Sequence, residues 1–178
     1  MKHLRTAITA LLLILPNALM AQQENEPLIP LFASTCMKYY YSRDELRSKL
    51  SSRPKIPDKV KSYFLQGVDG DAWPILEKGK KYILVLRKDG VCSLFAKEAN
   101  STSVQSEFIA AVKDAPKPLI SKQLQGDVGP NTATIKSIAW QWFRAQDKEA
   151  LTFTLTTSDD PGTEIAAMAS MSLTQKSN

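Results

Sequence analysis

One histidine, His3, occurs in the 178-residue sequence, and it lies in an amino-terminal segment that we expect to be removed. Serine-protease triads, Cys-His pairs and His-ligated metal sites all need an imidazole, either as a base or as a ligand. We therefore expect these chemistries to be missing from the mature chain. The sequence predicts no catalytic residue, no metal site and no cofactor.

Nucleophilic chemistry without histidine would require a serine activated by a lysine. Ser93 with Lys97 and Ser121 with Lys122 are close in sequence. Neither pair lies in a helical Ser-x-x-Lys motif, and adjacent strand residues point to opposite faces of a sheet. We interpret these residues as structural.

Acidic residues offer two further kinds of site. Glycoside hydrolysis uses two facing carboxyl groups, for which Glu77, Glu98 and Glu107 are candidates with any aspartate, but the sequence selects no pair. Asp69 to Asp71 resembles part of a calcium loop but lacks the remaining ligands. A tight turn is the simpler interpretation, so we predict that the chain is not an enzyme.

Cys36 and Cys92 are the two cysteines of the chain. In an oxidising compartment such a pair is typically bridged, and closing this loop stabilises the fold by about 4 kcal/mol in the chain-entropy model. The bridge would join the amino-terminal helical region to the sheet. The alternative is a reactive thiolate, which needs a neighbouring cation or helix terminus.

Residues 1–21 have the pattern of a secretory signal peptide. Lys2 and Arg5 precede an apolar run from Ala7 to Leu15, and a small residue, Ala21, marks the expected cleavage point. The run is about half the roughly 20 residues that a membrane span needs. We therefore predict a periplasmic or secreted protein that does not span a membrane.

Size and charge narrow the class of protein further. Removing residues 1–21 takes away two cations, which lowers the net charge from +5 to +3, too little for a nucleic-acid-binding surface. The remaining residues, 22–178, are enough for a single domain. Residues 22–28 are polar and end in a proline-containing segment, so we predict a flexible lead-in there.

Periodicity predicts four helices and seven strands. The helices are expected over residues 29–41, 42–51, 58–65 and 102–113, with capping boxes at Ser42-x-x-Glu45 and Thr102-x-x-Gln105. The strands are expected over residues 73–76, 81–87, 91–96, 119–124, 132–143, 151–157 and 165–173. This order predicts an α+β fold: an antiparallel sheet of two meanders with the helices packed on one face.

Two groups of residues are candidates for a contact surface. Trp140 and Trp142 lie on one face of a predicted strand, where tryptophans usually fill a core but serve as binding anchors when partly exposed. Lys78, Lys80 and Lys81 cluster at a hairpin tip and would suit an acidic partner; the simpler interpretation is a solvated turn.

Gly67, Gly70 and Trp73 mark the change from helical to extended spacing, and we interpret them as a structural turn. This turn, together with the segment from Gly90 to Phe95 and with Phe108, resembles a family of small exported bacterial proteins of unassigned function. The leading Cys36 and the segment from Ser158 to Ser170 are also similar. The resemblance implies export and a pair of cysteines, and no catalytic residue.

These observations favour a non-catalytic binding or inhibitor module that acts in the periplasm on a protein partner, as an immunity protein does. One alternative is an accessory or structural component of the cell envelope or of a secretion system. Another is a cell-wall enzyme that works without histidine.

Overall fold

The computed structural model describes residues 26–126 and 128–177. The helices are α1 (Leu28–Phe32), which continues as a π-helical turn (Ala33–Met37), α2 (Arg43–Leu50), α3 (Asp58–Leu65) and α4 (Ser101–Val112). The strands are β1 (Gly70–Glu77), β2 (Lys80–Arg87), β3 (Cys92–Ala96), β4 (Ile120–Gln123), β5 (Ile135–Phe143), β6 (Glu149–Ser158) and β7 (Ala167–Gln175). The predicted signal peptide lies outside the described residues.

The seven strands form one antiparallel sheet in the order β1-β2-β3-β7-β6-β5-β4. Two meanders, β1 to β3 and β4 to β7, join where β3 pairs with β7. The predicted α+β class and its two meanders are confirmed. None of the helices in the described part of the chain has the length and hydropathy of a membrane span.

One face of the sheet, which we call the packed face, carries the main core. Side chains alternate between faces along each strand, and the pairing places Leu84, Leu94, Ala169 and Leu155 in one row across four strands. All four are fully buried. The apolar sides of α1, α2 and α4 join this core through Phe32, Leu46, Leu50, Val104, Phe108 and Val112.

The opposite face of the sheet, which we call the open face, is covered in part by α3. Phe64 and Leu65 of α3 form a second, smaller core there with Val85 and Phe95. The expectation that helices pack on one face therefore holds for α1, α2 and α4, and α3 is the exception. Toward β6 the open face changes to threonines, including Thr154, which are only partly buried.

The disulfide between Cys36 and Cys92 is confirmed, with a Cα–Cα distance of 5.5 Å. It joins the π-helical turn to β3, so it fixes the first helical region on the packed face. The alternative, a reactive thiolate, is excluded because both sulfurs are used in the bridge.

Both predicted capping boxes are wrong. The side chain of Ser42 forms no cap hydrogen bond with α2. At α4 the cap is Asn100, whose side chain accepts a hydrogen bond from the Ser103 amide, so Thr102 lies inside the helix.

The flexible lead-in predicted over residues 22–28 does not extend to its carboxyl end, because Glu26, Pro27 and Leu28 are buried.

Candidate binding groove on the open face

A groove runs along α3 where the helix leaves the rest of the open face uncovered. It consists of two adjoining cavities of about 390 and 430 Å³, which share Tyr63, Phe95 and Ile165. We call the pair the α3 groove. Cavities of this size and apolar character are typical of ligand-binding sites.

The floor of the α3 groove is one cross-strand row of the sheet. Ile83, Phe95, Met168 and Thr156 are successive partners across β2, β3, β7 and β6. Because neighbouring strands lie about 4.8 Å apart, the row is roughly 14 Å long. It is apolar at the β2 end and ends in a hydroxyl at β6.

The wall of the groove is the outer side of α3. Val60 and Tyr63 remain 48% and 61% exposed. Both line the cavity of about 390 Å³, which we call the first cavity; the other is the second cavity. Phe64 lies beneath them and meets Phe95 edge to face, with 5.1 Å between the ring centroids. The packed aromatic pair holds the floor in place, and the two exposed side chains offer apolar surface to a ligand.

Charged side chains stand at the first cavity. Lys81, Lys97 and Glu164 are exposed and line it. No salt bridge involves either of these two lysines within the part of the chain that the structure describes. The groove therefore combines an apolar floor with two lysine ammonium groups and one carboxylate.

The three lysines expected to cluster at the hairpin tip point in different directions: one lies at the turn, and the other two lie on opposite faces of the sheet. Lys78 is exposed at the turn, where its φ is +47°. Lys80 points to the packed face and binds the carboxylate of Glu26. Lys81 points to the open face, so it alone of the three lines the α3 groove.

The tryptophans of β5 pack against the main core, which is the usual position of such residues, and neither lines the α3 groove. Trp140 is buried and meets Phe108 edge to face. Trp142 donates its indole N–H to the carbonyl oxygen of Val112 at 2.6 Å and packs against Phe153. Both side chains secure α4 to the sheet, because Phe108 and the carbonyl group of Val112 belong to that helix.

The serine-lysine pairs considered from the sequence are not assembled. Ser93 is buried and its hydroxyl donates to Ser170 Oγ at 3.2 Å. Ser121 donates to the carbonyl oxygen of Val112. Neither hydroxyl contacts a lysine in the described part of the chain, and no cluster of three metal-ligating side chains occurs there.

The structure brings together one pair of acids that the sequence does not reveal. The amide of Glu26 donates to Glu107 Oε1 at 3.1 Å, and the Glu26 carboxylate is nearly fully buried. Tyr82 lies beside it with its hydroxyl 3.5 Å from Glu26 Oε1. Burial, and secondly the charge of Glu26, raise the pKa of the Tyr82 phenol well above its usual range. This cluster ties the segment that begins at Glu26 to β2 and to α4.

The glycine-tryptophan turn lies at the carboxyl end of α3. Gly67 adopts a φ of +81°, which favours glycine, and Trp73 is buried. Gly70 has a different reason: a Cβ there would come within 2.5 Å of the Leu86 carbonyl oxygen. The turn therefore sets the angle between α3 and β1, and with it one side of the α3 groove.

Comparisons with protein-family models, with curated proteins and with solved structures return no significant match.

Proposed function

We propose that this chain is an exported, non-catalytic binding module that recognises a protein partner through the α3 groove, as an inhibitor or immunity protein would. The observation that carries the proposal is the half-exposed pair Val60 and Tyr63 beside a packed aromatic floor. Exposed tyrosines next to apolar pockets are frequent anchors of protein interfaces. The groove, and not the tryptophans of β5, is then the contact surface.

Export is the second part of the proposal. A bridged cysteine pair is typical of proteins that fold outside the cytosol. The pattern of residues 1–21 provides the means of export. The mature chain would begin at Gln22, four residues before the buried Glu26.

Photo-cross-linking in the cells that make the protein tests the proposal. A photoreactive phenylalanine analogue replaces Tyr63 in one variant and Tyr41 in the other. Tyr41 is 90% exposed and does not line the α3 groove, which makes it the matched control. We expect one discrete polypeptide adduct from position 63 and none of that mass from position 41. No polypeptide adduct at 63, or the same adduct from both positions, would contradict the proposal.

A further inference from the structure

We infer that the partner segment held in the α3 groove is acidic as well as apolar: it lays apolar side chains on Ile83 and Phe95 and places a carboxylate between Lys81 and Lys97. The inference rests on the proposed function and adds to it the chemistry of the partner. Three observations support it: the register of β2 and β3, the charges of Lys81 and Lys97, which form no salt bridge in the described residues, and the apolar floor of the groove.

The register puts the two lysines next to each other. Tyr82 pairs with Ala96, and Ile83 pairs with Phe95. One residue beyond the first pair, Lys81 and Lys97 emerge on the open face, and both line the cavity whose floor is formed by Ile83 and Phe95. Lys97 is the first residue after β3, so the two lysines continue the register of the ladder without being one of its pairs. Like charges on neighbouring strands repel each other, and these two stand at the same apolar cavity.

The groove's own acid leaves this charge unbalanced. Glu164 lines the same cavity, and no salt bridge joins it to Lys81 or Lys97 in the described structure. A carboxylate from a partner would relieve the repulsion between the lysines. Its attraction to them is stronger beside an apolar surface than in bulk water, because the effective dielectric is lower.

The length of the floor sets the size of the segment. The row from Ile83 to Thr156 is roughly 14 Å long, which accommodates about four residues of extended chain. The acid belongs at the β2 and β3 end, where the lysines stand. The far end of the segment meets Thr156 and the other β6 hydroxyls that line the second cavity.

Charge reversal in the cross-linking variant tests this chemistry. With the photoreactive group at position 63, we expect Lys81→Glu with Lys97→Glu to lower the adduct yield about tenfold or more. Lys78→Glu adds a negative charge on the same hairpin but outside the groove, and it should leave the yield unchanged. Glu164→Gln removes the carboxylate that lines the groove and should raise the yield.

A neutral variant protects the test against misfolding. Lys81→Gln with Lys97→Gln removes the repulsion, so its melting temperature should equal or exceed that of the parent. Its adduct yield should be lower than that of the parent. High salt should lower the yield of the parent, because it screens the lysine charges, and should leave the yield of this variant unchanged. Sequencing of the cross-linked peptide should find an aspartate, a glutamate or a chain-terminal carboxylate within about four residues of the attachment point.

The outcomes separate the two proposals. The inference is overturned if the yield of the adduct at position 63 is the same in both lysine variants as in the parent. It is also overturned if the cross-linked peptide contains no acid. Either result leaves the proposed protein-binding function intact. A lipid adduct in place of a polypeptide overturns both, as does the absence of any adduct at 63.

Discussion

Lys80 donates to both carboxylate oxygens of Glu26, at 2.7 and 2.9 Å, across 54 residues of sequence. The same carboxylate accepts from the Asn100 amide at 3.4 Å, so the start of the described chain is tied to β2 and to the cap of α4. Lys81, the next residue, points the other way into the α3 groove. The side chains of these two adjacent lysines thus have separate surroundings: Lys80 is paired with Glu26, and Lys81 lines the groove that we propose as the binding surface.

The first prediction concerns this ion pair. Glu26→Ala should lower the free energy of unfolding by about 1–3 kcal/mol, because it removes a buried acceptor of hydrogen bonds. The exposed part of Lys80 can regain water, which limits the loss. Urea unfolding of the two proteins gives the difference. Lys78→Ala, on the exposed turn, should change stability by less than about 0.5 kcal/mol; an equal loss in both variants would contradict the assignment.

The second prediction concerns alkaline pH. The pKa of Tyr82 is raised in the folded state by burial, so above pH 10 the unfolded chain loses this proton while the folded chain retains it. Stability from Tyr82 is therefore complete below about pH 10 and falls by up to about 1.4 kcal/mol per pH unit above it.

Tyr82→Phe should remove the part of this fall in unfolding free energy that the phenol causes. The shift of the urea midpoint between pH 8 and pH 11 measures it. The exposed Tyr41, changed to Phe, is the control and should keep the parent's pH dependence. Parallel pH profiles for Tyr82→Phe and the parent would show that the buried phenol is not the cause.

The third prediction concerns the disulfide. Replacing Cys36 and Cys92 by alanine should cost about 4 kcal/mol, since the bridge closes a long loop in the unfolded chain. Calorimetry of the parent, the reduced parent and the double variant measures the loss. Thiol titration of the native protein should find no free cysteine, and two titratable thiols would refute the bridge.

The fourth prediction separates the two glycines of the turn. At Gly67 an added Cβ meets open space, so Gly67→Ala should cost only the backbone strain of about 1–2 kcal/mol. At Gly70 the Cβ would clash with the backbone at Leu86 and Arg87, so Gly70→Ala should cost more. Equal melting temperatures for the two variants would contradict this distinction.

The helices and strands were predictable because their signals are local. The alternation from Leu151 to Thr156 identifies a strand with one buried face, and β6 has that pattern. Local signals do not say which face of the sheet a helix covers. The side chosen by α3 depends on the turn at Gly67 and Gly70 and on Phe95, whose partner Phe64 is 31 residues away in sequence.

The candidate site was predictable only in part. Adjacent strand residues point to opposite faces, so the separation of Lys80 from Lys81 follows from the period of a strand. Glu26 was not predictable, because acids are rarely buried unless they are paired, and its partner is distant in sequence. Trp140 and Trp142 lie on one face of β5, as the strand period predicts, but their packing depends on contacts with α4, which is distant in sequence.

The most direct test of the binding surface is a methyl NMR titration of the disulfide-bonded protein with the polypeptide recovered by cross-linking. We expect shifts at the groove methyls of Val60, Ile83, Ile165 and Met168, and none at Leu46 or Val104, which lie in the core of the packed face. Shifts confined to the packed face, or to the hairpin tip at Lys78, would contradict the assignment of the α3 groove.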